Sequence, residues 1–413
     1  MRGMARASQS LRSRSDRLLG KSSRPIGEGE ITLSEMTTIR LMTDFHHLHN
    51  LMDAKASFER DYPEVQIVLE QATDHYELMQ AYKSDEAPDI IESGGWALFN
   101  YKGMFVDLLP YAEEVPGLME DLNSGLMRVA CKDGNLPGLP VDVALPLILY
   151  RKDMFDAAGL PYPTDDWTWD DMIAMAKQLT IRGENGVARQ FGFGFGVDIE
   201  EYEPFVMRNG GRYLSADGST ARGYVDQPAV IEAFRKLIDA YRVHRVIRNP
   251  GEPSEAGELH QGFAMIFGFT WFAGGVVIHG LSDRYGVVGL PNMPGGEQSN
   301  MIYMGAAGVT TKSRQPRLAW EFLRRYALDR REPFRPESAR TLPVTRSLAD
   351  ASGMTQHPIW SRYVQELDRV QTSGFYISEK WNSSRQLINE DIHRMITEGA
   401  DVAQTLKSWT RFA

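Results

Sequence analysis

The sequence predicts an α/β protein with more than one domain, and two observations lead to this prediction. Strand-like and helix-like segments alternate in the order β-α-β-α-β near the start of the folded part of the chain. This order implies parallel strands with helices on the faces of a sheet. The chain has 413 residues, which exceeds the length of about 250–300 residues at which a single core stops growing.

The first region contains three predicted strands, at 39–42, 65–69 and 88–92, where apolar and β-branched residues cluster. Predicted helices at 48–58 and 75–82 separate them, with apolar residues near one face of each helix. Proline cannot continue a helix without losing a hydrogen bond. Asp61-Tyr62-Pro63 is therefore expected to end the first helix.

The segment 138–180 joins the two predicted regions. The apolar run 144–150 is followed by Arg151-Lys152-Asp153, and Gly159 ends a short amphipathic piece. Thr168-Trp169-Asp170-Asp171 then begins a helix with an apolar stripe, at 169–179. We expect the second region to begin after this apolar run.

The second region continues the alternation of strands and helices. Predicted strands lie at 191–197, 262–267 and 302–310. Predicted helices lie at 229–241, 316–326, 359–370, 383–397 and 402–409, and another ends at 204–209. Pro291-Asn292-Met293-Pro294-Gly295-Gly296 is a strong loop signal.

The composition is that of an ordinary globular protein, with 42% hydrophobic and 24% charged residues. The net charge of −10 argues against nucleic acid as a partner of the folded body, because counterion release needs a basic surface. Cys131 is the single cysteine, which excludes an intramolecular disulfide. Residues 1–35 read as a flexible basic leader, without an apolar core of signal-peptide length.

The segment 138–180 resembles a signature of the family 1 extracellular solute-binding proteins, the sugar-capturing receptors of ABC importers. Further pieces of the family pattern occur in the family's order over roughly 38–410. They include Phe58-x-x-Asp61-x-Pro63, Ala87-Pro88-Asp89-Ile90, Phe105-Val106-Asp107-Leu108, Asn209-Gly210-Gly211, Gly262-Phe263-Ala264-Met265, Ala319-Trp320-Glu321 and Leu342-Pro343-Val344. The chain departs from the pattern at Arg151, where Asn is usual.

The resemblance implies a two-lobed periplasmic-binding-protein-like fold of type II, with a hinge and an interlobe cleft. The first lobe would comprise 36–149 plus 304–349, and the second 150–303 plus 350–413. Tyr150 and Tyr303 would lie near the first two crossings between lobes. The family also implies that the chain works as a monomer, delivers a carbohydrate to the permease subunits of an ABC transporter and needs no cofactor.

Candidate ligand residues follow from the rule that open α/β sheets bind ligands beyond the carboxyl ends of their strands. The rule selects Thr43, Asp44, His46, Glu92, Ser93 and Trp96 in the first region. In the remainder of the chain the candidates are Asp142, Tyr202, Trp271 and Trp381. Sugars need carboxylates for their hydroxyl groups and aromatic planes for their C–H faces.

Each candidate also has a structural alternative. Thr43 and Asp44 are suited to capping the following helix, and Glu92 to a surface ion pair. The four aromatic candidates are equally compatible with a core position, although Trp recurs at the place of Trp271 in the family. Capping and ligand contact can coexist at Asp44.

Three other sequence features are considered as signs of a metal site, a phosphate loop or a glycosidase. His46-His47-x-His49 invites a metal interpretation, but these side chains diverge at a helix start and further ligands are missing, so no metal is expected. The glycine-rich stretch Phe191–Gly196 lacks the Gly-Lys-Ser/Thr sequence of a phosphate-binding loop. Asp44 and Glu92 are of the type that a glycosidase uses, but the resemblance favours a binding protein over an enzyme.

Two functions remain open from the sequence. The first is a sugar receptor outside the cytoplasm that serves an ABC importer, as the family implies. The second is an intracellular sugar sensor with the same fold, which the basic leader favours because it does not read as an export signal.

Overall fold

The computed structural model describes residues 36–44, 48–99, 103–329 and 334–413. The predicted leader at 1–35 lies outside the described residues, as do the predicted ligand residue His46 and its neighbour His47. The regular elements begin at Thr37 and continue to Phe412.

In the described part of the chain, ten strands form two mixed sheets of five strands each. Numbered in chain order as β1 to β10, they are Thr37–Thr43, Val65–Gln71, Ile90–Ser93, Leu139–Ala144, Pro146–Arg151, Ile181–Arg182, Ala188–Gly194, Phe263–Phe269, Tyr285–Val288 and Tyr303–Val309.

The first sheet has the strand order β2-β1-β3-β10-β4. β1 runs parallel to β2 and β3, which confirms the β-α-β-α-β prediction for this region. β10 runs antiparallel to both β3 and β4, so the first sheet is mixed on that side. The reason is that β10 enters the first sheet from the second one and runs in the opposite direction to β3.

The second sheet has the order β6-β7-β8-β5-β9. β5 is antiparallel to β8 and β9, whereas β7 and β8 are parallel. β5 and β8 are buried along their whole length, as expected for central strands covered on both faces.

The chain passes from the first sheet to the second at Leu145, the residue between β4 and β5. Tyr150 is the fifth residue of β5, five positions beyond Leu145. The apolar run 144–150 continues from one strand into the next, so hydrophobicity alone does not mark the change of sheet. The return crossing joins β9 to β10, and Tyr303 is the first residue of β10.

Eighteen α-helices in the described residues complete the fold. Numbered α1 to α18, they are Leu48–Asp61, His75–Lys83, Leu109–Glu113, Leu118–Asp121, Ser124–Ala130, Lys152–Ala158, Trp169–Leu179, Ile199–Arg208, Pro228–Arg242, Leu259–Gly262, Thr270–Ile278, Pro316–Leu328, Arg346–Ala351, Trp360–Glu366, Gly374–Ile377, Glu379–Ser383, Arg385–Thr397 and Val402–Ser408. Short 3₁₀ turns lie at Trp96–Leu98, Ser282–Arg284, Met354–Gln356, Leu367–Arg369 and Trp409–Phe412.

Local sequence determines the start of α7. The Thr168 side chain accepts a hydrogen bond from the Asp171 backbone N–H, and the Asp171 carboxylate accepts one from the Thr168 backbone N–H. This reciprocal capping box satisfies donors that a helix start leaves unpaired. Trp169, Met172 and Ile173 are buried, which confirms the predicted apolar stripe.

A buried polar network ties the two crossings together. The Arg208 guanidinium, at the end of α8, donates to the backbone carbonyls of Ser299 (2.9 Å) and Leu290 (2.8 Å) on the return crossing. It also pairs with the Glu366 carboxylate at 3.4 Å. The Asn300 amide donates to Glu366 at 3.1 Å and to the Pro146 carbonyl, beside the first crossing, at 2.9 Å. Both crossings are therefore anchored to one cluster, which we call the Arg208 network.

The helices in the described part of the chain are all too short or too polar to span a bilayer.

Candidate functional site

Asp44 lies just beyond the carboxyl end of β1, at the edge of the first sheet. Its carboxylate accepts hydrogen bonds from the Ser93 hydroxyl at 2.8 Å and from the Gly94 backbone N–H at 3.1 Å. These contacts arise because β1 and β3 are parallel neighbours, so their carboxyl ends meet. Asp44 is thus held by the loop after β3, and it remains partly exposed.

Asp142 joins the same edge from β4. It pairs with Gly305 of β10, and a Cβ atom built on Gly305 would lie 3.3 Å from the Asp142 Cβ and 3.5 Å from the Gly94 Cα. Asp142 and Gly94 therefore approach each other across Gly305. We call Asp44, Ser93, Gly94 and Asp142 the polar rim.

An aromatic cluster lies beside the polar rim, where the two sheets join. The Trp271 and Phe269 rings stack with their centroids 4.3 Å apart, and the Tyr303 ring lies 5.8 Å from that of Trp271. Phe269 pairs with Pro146 and Tyr303 with Ala144, so the cluster flanks the crossing between β4 and β5. We call Phe269, Trp271 and Tyr303 the aromatic platform.

Trp271 is the exposed member of this platform. Its side chain follows β8 at the start of α11, and 46% of its surface is exposed. Covering a large aromatic ring is favourable, so an open ring face is a good contact surface for another apolar group. The Phe269 ring beneath it keeps its orientation, so the exposed face is presented to the solvent.

Tyr303 connects the polar rim to the platform. In an antiparallel pair, directly opposed residues share a face of the sheet, and so do residues two positions apart on one strand. Tyr303 is opposite Ala144, and Gly305 is opposite Asp142. Asp142 and Tyr303 therefore lie on the same face of the first sheet, one step apart.

A charged cluster lies on the other side of Tyr303. The Arg385 guanidinium donates to the Tyr303 hydroxyl and to the Asp198 carboxylate, each at 3.0 Å, and lies 2.8 Å from the Glu200 carboxylate. It also lies above the Phe375 ring, 5.4 Å from its centroid. We call Arg385, Asp198 and Glu200 the Arg385 cluster.

The carboxyl groups near the start of α8 have raised pKa values. Burial raises the pKa of Glu200 to about 9, although Arg385 acts in the opposite direction. Burial also raises the pKa of Glu201 to about 7, and the same cause raises that of Glu203 to about 7. A single helix end therefore carries several carboxyl groups that are poorly solvated.

Glu92 and Thr43 are buried, contrary to the expectation that they face a ligand. The Glu92 carboxylate is 1% exposed and accepts a hydrogen bond from the Tyr326 hydroxyl of α12. Thr43 is fully buried within β1. Both residues lie within strands of the first sheet, whose packing covers their side chains. Ser93 is buried as well, but its hydroxyl supports Asp44.

Three of the predicted aromatic ligand residues lie in the core. Trp96 packs against Phe105, Tyr202 packs against Phe195, and Trp381 packs against Tyr213. All three are among the largest fully buried side chains of the described residues. A side chain without exposed surface offers no plane to a ligand, so only Trp271 of the four predicted aromatics is suitably placed.

The structure thus brings together Asp44, Ser93, Asp142 and Trp271 from the predicted set. The sequence interpretation missed three neighbours of these residues, Phe269, Tyr303 and Arg385, as ligand candidates. The sequence does contain an indication for Tyr303, because a residue near a crossing between lobes is also near the cleft between them. Phe269 precedes Trp271 by two residues, but Arg385 is part of no recognisable motif.

The geometry gives little support to a metal site or a hydrolytic site. No three His, Cys, Asp or Glu side chains converge on a common point within the described ranges, from which His46 and His47 are missing. A glycosidase needs two carboxyl groups that face one bond. Glu92 is buried against Tyr326, so it does not share an open site with Asp44.

Comparison with known proteins identifies close resemblances. Residues 43–328 match the model of the bacterial extracellular solute-binding proteins. An arabinooligosaccharide-binding protein of Halalkalibacterium halodurans is 24% identical over 296 residues, which cover 67% of this chain and 64% of that protein. An sn-glycerol-3-phosphate-binding periplasmic protein of Agrobacterium fabrum is 27% identical over 182 residues, 42% of this chain and 40% of that protein. The chain therefore spans less than two thirds of the length of either relative.

Solved structures share the fold across nearly the whole chain. The sugar-binding protein MalE of Xanthomonas citri has a TM-score of 0.76 at 17% identity, covering 91% of this chain and 96% of that one. An ABC substrate-binding protein of Listeria monocytogenes, in complex with cycloalternan, has a TM-score of 0.72 at 20% identity, covering 91% and 97%. These likenesses confirm the predicted two-lobed fold with its hinge and cleft. Because the family model matches well over half of its residues, this chain belongs to the bacterial extracellular solute-binding proteins.

Proposed function

We propose that this protein binds a carbohydrate, a mono- or oligosaccharide, in the cleft beside the crossings and delivers it to the permease of an ABC transporter. The observation that carries the proposal is the exposed Trp271 ring, stacked on Phe269 and adjacent to the polar rim. The binding residues in this proposal are Asp44, Asp142, Trp271, Tyr303 and Arg385. The buried Ser93 hydroxyl holds Asp44 in place.

The chemistry of this arrangement suits a sugar. A sugar ring has an apolar C–H face and an edge of hydroxyl groups, so it needs a flat aromatic surface and directed acceptors. Trp271 supplies the surface, while the carboxylates of Asp44 and Asp142 lie on the neighbouring edge of the first sheet. Closure of the lobes would exclude water and strengthen these hydrogen bonds.

The family and its members support this proposal. One relative is an arabinooligosaccharide-binding protein, and several solved structures of the same fold contain oligosaccharides, among them maltotetraose. A place outside the cytoplasm and a permease partner follow the family's description as extracellular solute-binding proteins. The comparisons lend no support to the alternative of an intracellular sensor.

We also propose the lobe boundaries and the mode of action. The first lobe comprises 36–144 plus 304–349 and the second 146–303 plus 350–413. The first boundary is Leu145, where the chain changes sheet, in place of the one expected between 149 and 150. The protein works as a monomer and releases its sugar unchanged, in keeping with a family described as solute-binding proteins.

A thermal-shift screen against a panel of neutral mono- and oligosaccharides tests the function. A ligand that binds only the folded state at about 100 times its Kd stabilises it by about 2.7 kcal/mol, which raises the melting temperature. We expect one oligosaccharide or a related group to raise it, and the shift to disappear in Trp271→Ala. A panel that produces no shift, or a shift retained in Trp271→Ala, would contradict the proposal.

A further inference from the structure

Arg385 is the cation that touches the aromatic platform, and its contacts restrict what it can do. Nε and Nη2 both donate to the Asp198 carboxylate, at 3.1 and 3.0 Å. Nη2 also donates to Tyr303 and lies against Glu200. Nη1 has no hydrogen-bond partner among the described residues. A ligand on Trp271 would therefore meet an arginine whose charge is already compensated.

The surrounding charges are negative. Asp198 alone balances Arg385, and Glu200 adds no full charge at neutral pH because burial raises its pKa to about 9. Across Tyr303, the polar rim contributes the carboxylates of Asp44 and Asp142. A ligand carrying an anionic group would approach these like charges, which costs free energy in a partly desolvated site.

The geometry around Asp198 indicates that this compensation is built into the fold. Asp198 is the N-cap of α8, where its carboxylate accepts from the Glu200 backbone N–H at 2.9 Å. The Asn389 amide holds the other carboxylate oxygen at 2.8 Å, and α17 carries both Asn389 and Arg385. Asp198 is thus fixed beside Arg385 before any ligand arrives.

We propose that the Arg385 cluster makes the cleft selective for neutral polyhydroxyl ligands and excludes ligands with a phosphate or carboxylate group. Arg385 then offers one N–H to a ligand hydroxyl instead of a positive charge to an anion. This inference rests on the proposed function, since it assigns the ligand class of the same cleft. It also separates this chain from the glycerol-phosphate-binding relative and places it with the arabinooligosaccharide-binding one.

The test compares glycerol 3-phosphate and inorganic phosphate with the neutral sugar panel, by calorimetry at low salt, where charge effects are least screened. The informative variant is Asp198→Asn combined with Glu200→Gln. Asn is as good an N-cap as Asp, so α8 keeps its start. Glu203→Gln is the matched control, because it removes a carboxyl group from the same helix whose contact is to the Gly374 N–H and not to Arg385. Circular dichroism establishes that each variant is folded.

We expect glycerol 3-phosphate and phosphate to bind the wild type and Glu203→Gln with a Kd of about 1 mM or weaker. The double variant should bind glycerol 3-phosphate at least about tenfold more tightly than the wild type, a ratio that corresponds to about 1.4 kcal/mol. Addition of Arg385→Gln should abolish this gain. If the double variant is misfolded, Asp198→Asn alone should give a gain of the same kind, because Asp198 is the carboxylate that balances Arg385.

Two results would overturn the inference: Arg385-dependent binding of glycerol 3-phosphate by the wild type, or a folded double variant without any gain. Failure of the proposed function looks different. In that case no neutral sugar binds. The affinity of the double variant for glycerol 3-phosphate still shows whether Asp198 and Glu200 offset the charge of Arg385.

Discussion

Two arginines at opposite ends of α8 have contrasting environments. Arg208, in the last turn of the helix, is 1% exposed and donates to two backbone carbonyls and to the buried Glu366. Arg385 packs against the first turn of the helix, is 38% exposed, and is paired with Asp198 and Glu200. One cation is enclosed by the crossings, whereas the other borders the cleft.

The difference separates two uses of the same side chain. A buried arginine needs every donor satisfied, since an unpaired charge in the interior is very costly. Arg208 therefore holds the return crossing in one shape. A partly exposed arginine loses much less when a partner is removed, because water replaces it. Arg385 can consequently be varied in order to study ligand choice without loss of the fold.

The largest effect is expected for Arg208→Met. Removal of the guanidinium leaves the Glu366 carboxylate and two carbonyl groups buried without it, so the free energy of unfolding should fall by about 3–5 kcal/mol. Urea unfolding followed by circular dichroism measures this change. Replacing Glu366 with Met in the same protein should cost less than the sum of the single changes, because the contact between the two side chains is then lost only once. Additive costs would contradict a coupled pair.

The next effect concerns Glu203, one turn into α8 from the Arg385 cluster. Its pKa is raised from 4.5 to about 7 by burial, so the folded state binds a proton that the unfolded state releases between these values. This contribution to stability is complete below about pH 4.5 and is lost as the pH rises through about 7. Glu203→Gln, which keeps the Gly374 contact, should therefore be more stable than the wild type at pH 8, by about 3 kcal/mol.

Melting temperatures between pH 5 and pH 8 test this prediction. The difference between Glu203→Gln and the wild type should widen as the pH rises. A constant difference across that range would mean that Glu203 does not titrate there.

Trp271→Ala should weaken sugar binding by about 1–3 kcal/mol, the range for loss of an aromatic stacking partner. Calorimetry with the sugar from the screen measures the loss. Because the Trp271 side chain is 46% exposed, the melting temperature of Trp271→Ala should be close to that of the wild type. Tyr76→Ala is the matched control, since Tyr76 is also an exposed aromatic residue but lies on α2. Equal losses of sugar affinity in Trp271→Ala and Tyr76→Ala would mean that Trp271 does not contact the sugar.

The smallest effect is expected for the stability of Arg385→Met, at about 1 kcal/mol, since water replaces part of the contacts of a side chain that is 38% exposed. Urea unfolding alongside Arg208→Met gives the comparison directly. A loss as large as that of Arg208→Met would mean that both arginines are structural, and that the contrast between the ends of α8 does not hold.

The fold was largely predictable because its elements are encoded locally. The capping box of Thr168 and Asp171 and the apolar stripe of α7 are visible in the sequence. The position of the crossing at Leu145 cannot be seen in the sequence, because the buried strands on either side of it form one continuous apolar run. The direction of β10 was also hidden, since it depends on a return from a distant strand.

The site was predictable only in part. Asp44 follows a strand, and strand ends meet at one edge of a sheet, so a general rule finds it. Aromatic residues carry no such rule: Tyr202 and Trp381 are buried by packing against residues distant in sequence, whereas Trp271 is not. Arg385 reaches Tyr303 from 82 positions further along the chain, and only the tertiary structure brings them together.

The structure of the protein in complex with the sugar identified by the screen tests the central claim most directly. The account predicts a sugar ring in van der Waals contact with the Trp271 ring, at about 4 Å between carbon atoms, and hydroxyl groups bonded to Asp44 or Asp142. A sugar bound away from Trp271, without contact to the polar rim, would contradict it.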